Sequence, residues 1–128
     1  MSTGTVKTTE QTFSSMKRLK FEWTSTTGGS VGYTTTESYS GLVYKVIIAP
    51  STSTGYEPST GYDVAINDSD DYDILNGLGT NSSTSTVYYG ISTGGTAYSP
   101  ITAVSSKLTL AVSDAGDTKS GEVVVYIR

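Results

Sequence analysis

The sequence predicts an all-β protein: a single β-sandwich of about seven or eight strands, jelly-roll-like or immunoglobulin-like in connectivity, with a flexible N-terminal arm. Three observations carry this expectation. Ser, Thr and Gly together fill 56 of 128 positions, while apolar residues make up 35% and charged residues 16%, too polar for a membrane protein and too weakly charged for charge-driven disorder. The apolar residues fall in short runs of Val, Ile, Leu and Tyr with period-two alternation, as strands require. Gly, Asn, Asp and Pro punctuate the runs with turn chemistry.

Residues 1–15 read as the arm, with Val6 and Phe13 as its only sizeable apolar groups, and residues 16–128 as the sandwich domain. In Lys17-Arg18-Leu19-Lys20-Phe21-Glu22-Trp23, Leu19, Phe21 and Trp23 share one face and the charges the other, the pattern of a half-buried strand. Thr27-Gly28-Gly29-Ser30 is a turn, after which Val31–Tyr39 forms a more polar strand. Leu42–Ala49 is the densest branched apolar run, expected as a central strand buried on most of both faces and ended by Pro50. Residues 51–60 form a loop. Tyr62–Ile66 is a strand with Tyr62, Val64 and Ile66 inward, and Ile74-Leu75 returns to the core after an acidic turn. Thr86–Tyr89 is a short strand, and residues 90–100 a second long loop. Lys107–Val112 and Glu122–Ile127 read as a terminal hairpin with a long tip.

Composition also bounds the chemistry. The chain has no His and no Cys, which removes Ser-His-Asp and Cys-His catalysis, thiolate zinc sites and disulfides. The N-terminus lacks the apolar stretch of a secretory signal, and no run approaches a membrane span, so synthesis and folding in a cytoplasm are expected. A net charge of −4 argues against nucleic acid as a partner. Lys7, Lys17, Arg18 and Lys20 against Glu10 give residues 1–20 a charge of +3, leaving −7 on the rest. A basic entry before an acidic body suits either solvated ends or an acidic partner surface.

Asp68, Asp70, Asp71 and Asp73 form the single charge cluster. Calcium is the functional reading, but the sixth-position Gly and twelfth-position Glu of an EF-hand loop are missing. A solvated turn whose Asp side chains bond the local backbone is the simpler one. Glu22, Glu37, Glu57 and Asp63 are available for paired-carboxylate chemistry, and nothing in the sequence brings two together. Ser14-Ser15-Met16-Lys17 matches Ser-x-x-Lys without its companion motifs or a helix start. Tyr39, Tyr56, Tyr88, Tyr89 and Tyr98 lie in or beside loops, where they serve as sheet surface, a protein contact or a sugar platform.

From Gly41 onward the chain resembles small tailed-phage virion proteins of the head-decoration type. The likeness lies in Gly41 with Leu42–Ala49 and Pro50, in Gly61-Tyr62-Asp63-Val64-Ala65-Ile66-Asn67-Asp68, in Asp73–Asn81, and in the ending Leu108–Tyr126. The resemblance implies a non-enzymatic virion component in many copies, without cofactors, whose partners are the major capsid protein and neighbouring copies of itself. On that expectation Phe13, Lys17, Arg18 and Lys20 carry the docking contact. The rival stations are the neck, tail or fibre of the particle, or a carbohydrate-binding module or adhesin.

Overall fold

The computed structural model describes residues 4–75, 77–82, 85–90 and 102–128. Nine strands are present among them: β1 (Thr5–Phe13), β2 (Met16–Thr24), β3 (Val31–Thr34), β4 (Tyr39–Pro50), β5 (Asp63–Asn67), β6 (Val87–Gly90), β7 (Thr102–Ser106), β8 (Thr109–Ser113) and β9 (Ser120–Ile127). They build a β-sandwich. One sheet has the order β1-β2-β9-β4, with β6 and β7 paired along the far edge of β4; the other has the order β3-β8-β5. All of the pairings are antiparallel.

Period-two alternation sets the core. Leu19, Phe21 and Trp23 of β2, Val46 and Ile48 of β4, and Val123, Val125 and Ile127 of β9 share the inner face of the large sheet. With Val64 and Ile66 of β5 and Leu110 and Val112 of β8 they form one buried cluster, which Tyr62, Ile74, Leu75 and Leu108 join. Gly121 stands opposite Trp23, and a Cβ there would lie 2.7 Å from the indole. Glycine thus lets the largest core side chain lie against the neighbouring strand.

Four expectations are corrected. The segment taken as a flexible arm is, from Thr5 to Phe13, an edge strand in continuous register with β2. Thr is a good β-former, and an edge strand needs backbone pairing more than a core face; Val6 alone packs against the cluster. The domain therefore begins well before residue 16. The supposed terminal hairpin is a crossover: β8 and β9 lie in different sheets. β4 is buried on one face only, with Lys45 exposed and Ile47 half-buried. β9 comes nearer to burial on both faces: Val124 on its outer side is covered like Val123 and Val125, while Glu122 and Tyr126 are half-buried. The strand expected over Val31–Tyr39 ends at Thr34, and Tyr39 opens β4.

The edges are treated unequally. Ile74, Gly79 and Ser82 cover the outer edge of β5 through Val64 N–H to the Gly79 carbonyl, Ile74 N–H to the Ile66 carbonyl and Ser82 N–H to the Tyr62 carbonyl. β3 is four residues long. β1 presents nine residues of unpaired edge among the described residues.

Candidate functional site

Cross-strand partners share a face, so the register assigns the outer face of the large sheet directly. Lys7, Glu22, Glu122 and Ala49 form one row, Thr9, Lys20, Val124 and Ile47 the next, and Gln11, Arg18, Tyr126 and Lys45 the third. Phe13 and Met16 lie beyond the third row, at the tip of the β1–β2 hairpin, where Ser14 takes a positive φ of 57° to close the turn. This face carries four cations against two carboxylates, although the chain as a whole is anionic.

The four residues expected to dock divide into different settings. Phe13 is 54% exposed, which for an aromatic side chain at a hairpin tip is a feature to explain. Lys17 turns to the inner side, 3.7 Å from Glu10 and 5.7 Å from the Tyr39 ring centroid. Burial, aided by a hydrogen bond to Glu10, pushes the Tyr39 hydroxyl up to about 12. Lys20 pairs with Glu22 at 2.8 Å. That bond raises the lysine's pKa and lowers the glutamate's. Arg18 alone has no carboxylate partner among the described residues. Its Nε donates to the Tyr126 hydroxyl at 3.1 Å and its Nη1 to the Gln11 amide oxygen at 3.3 Å.

Sequence reasoning missed the rest of that group. Lys45 Nζ lies 4.8 Å from the Tyr126 ring centroid and the Arg18 guanidinium carbon 6.0 Å from it, so two cations flank one aromatic ring. Arg18 and Tyr126 are 108 residues apart, and only the β2–β9–β4 register joins them. The single signal in the sequence was a Lys interrupting the apolar run of β4.

The acidic turn is built from its own backbone. Asp68 Oδ1 accepts the N–H groups of Asp70 and Tyr72. Asp73 accepts those of Ile66 and Leu75 on Oδ1 and that of Gly77 on Oδ2. Ser69 N–H reaches the Ser106 hydroxyl on β7 at 3.0 Å. Asp68 and Asp73 thus serve as caps, the local role expected of Asp in turns. Asp70 and Asp71 stand exposed at the tip, beside Tyr72 at 51% exposure. No group of three or more Asp, Glu, His or Cys is placed to hold a metal ion among the described residues.

Glu22 lies directly opposite Glu122, a pairing the sequence did not reveal. Both line an open groove of about 600 Å³ with Lys7, Thr24, Ser51 and Ser120. A glycosidase acid needs its pKa raised, whereas Lys20 holds the Glu22 carboxyl below its ordinary value. Ser14 and Ser15 of the Ser-x-x-Lys stretch occupy a hairpin turn rather than a helix start, and Lys17 is paired with Glu10. Of the loop tyrosines, Tyr39 is buried and Tyr56 is 51% exposed; Tyr98 and the side chains of Tyr88 and Tyr89 lie outside the described residues, as do residues 91–100 of the second long loop. No family model, curated protein or solved structure matches the chain.

Proposed function

We propose that this protein is a non-enzymatic virion structural protein of a tailed phage, a head decoration (cement) protein that binds the major capsid protein in many copies. The observation that carries the reading is the β1–β2 hairpin. It projects an exposed aromatic residue, Phe13, from the end of a strand whose outer edge is unpaired among the described residues. An aromatic anchor beside an open strand edge suits burial in a partner's groove, with backbone pairing alongside. The resemblance from Gly41 onward supplies the particle context. The chain's lack of His and Cys and a Glu22 carboxyl held below its ordinary pKa by Lys20 fit a part that holds rather than reacts.

Multiplicity suits such a part, because modest contacts repeated over a symmetric shell sum to durable attachment. Phe13→Asp tests the reading. The variant is expected to fold like the parent, since Phe13 lies outside the core, and to lose at least about tenfold in binding to heads prepared without the protein. Parental binding by the variant would reject the hairpin as the docking element. Absence of any binding by the parent would reject the decoration role and favour a neck, tail or fibre station.

A further inference from the structure

Arg18 and Lys45 are held on either side of Tyr126, and neither meets a carboxylate among the described residues. The two ion pairs there take Lys17 and Lys20 instead. Side chains so fixed have already lost part of their rotamer freedom, so an incoming anion gains their charge at reduced ordering cost. It would also relieve the mutual repulsion of two neighbouring cations.

The same chain carries the matching surface. Asp68 and Asp73 are spent on backbone N–H groups, and the turn they brace holds out Asp70 and Asp71 with Tyr72 between them and Asp73. Asp71 has a positive φ of 64°, a conformation that Asp tolerates in turns. The turn projects from the β5 side of the molecule, tied to β7. Arg18 and Lys45 point away from the small sheet on the opposite face. The two surfaces therefore cannot meet within one molecule, but they can meet between two.

From this complementarity we infer that a second copy of the chain docks its acidic turn, Asp70, Asp71 and Tyr72, onto the Arg18–Tyr126–Lys45 face. Each molecule offers one turn and one face, and the two patches differ. The contact is heterologous and builds rings or strings rather than a twofold dimer. Tyr72 brings an aromatic surface to the Tyr126 ring, and the carboxylates bridge the two cations. The inference rests on the multi-copy reading above and names the neighbour contact within it. It leaves Phe13 free for the shell.

The test uses the full chain in sedimentation velocity, without phage particles, so its outcome is independent of head binding. The parent is expected to self-associate at about 0.01 M salt and to dissociate at about 1 M, where the Debye length has fallen from about 30 Å to about 3 Å. The double variant Arg18→Gln with Lys45→Gln and the double variant Asp70→Asn with Asp71→Asn are each expected to be monomeric; Asn tolerates the left-handed conformation at 71. Mixed in equal amounts, they should form a complex that stops at two chains, because one intact turn then meets one intact face. A parent that stays monomeric at low salt, association that survives either double substitution, or a mixture that stays monomeric would each overturn the inference. The last outcome also covers a variant that fails to fold, which circular dichroism on each variant excludes beforehand.

Discussion

Trp23 and Tyr62 meet in the core with ring centroids 5.7 Å apart, and among the described residues neither the indole N–H nor the phenol hydroxyl has a hydrogen-bond partner. A buried polar group left unsatisfied costs about 1–3 kcal/mol. Tyr62→Phe keeps the packing and removes the orphan hydroxyl, so it is expected to raise stability by about 1 kcal/mol. The check is a urea midpoint that moves up at unchanged m-value. Burial also pushes the Tyr62 hydroxyl up to about 12, and Tyr39 is shifted to a similar value. In the unfolded chain both ionise near 10. Their contribution is thus complete below pH about 10 and is lost as pH rises through about 12. Alkaline melting should show that loss, and Tyr62→Phe should reduce its slope. Gly79 makes a different residue-level demand: a Cβ there would collide with the Val64 carbonyl oxygen, which belongs to the backbone of β5. Gly79→Ala is expected to cost about 3 kcal/mol, read by the same urea titration. Little of this was legible beforehand. Tyr62 was readable as inward from alternation, but its orphan hydroxyl and the Gly79 contact depend on which loop folds over β5.

Strands were legible where one face is apolar and the other charged. β2 and β5 read directly from alternation, because their side chains face a core on one side only. β1 did not, because an edge strand can be written almost entirely in Thr and charged residues and owe its order to backbone pairing. The pairing of β8 with β9 was misread because adjacency in sequence suggests a hairpin, and the sheet to which a strand belongs is a long-range decision. The role of β1 in the sheet gives a prediction at this scale. Removing residues 1–13 strips a full register of pairing from β2 and uncovers the Val6 contact near the core. The truncated chain is expected to melt about 10 °C lower, given about 4 °C per kcal/mol for a domain of this size. An unchanged melting temperature would show that β1 is not integral to the sheet. Such truncation confounds folding with docking, which is why the single substitution at Phe13 is the cleaner probe of function.

Over the whole molecule, charge is sorted by face. Cations concentrate on the outer side of the large sheet, and the turn beside β5 and β7 is acidic, so a chain of net charge −4 has complementary sides. The basic character of residues 1–20, Arg18 included, was visible in the sequence. The contribution of Lys45 and Tyr126 was not, since it arises from strands brought together across more than a hundred residues. Of the four residues expected to dock, Lys17 and Lys20 are occupied by Glu10 and Glu22. Phe13 and Arg18 remain available, one at the hairpin tip and one on the cation face. On the proposed function, that division gives the shell contact and the neighbour contact separate surfaces. The most direct measurement is electron microscopy of purified phage particles carrying gold-labelled antibody against this protein. The account predicts label distributed evenly over the heads, and label confined to the neck or tail, or absent from intact particles, would contradict it.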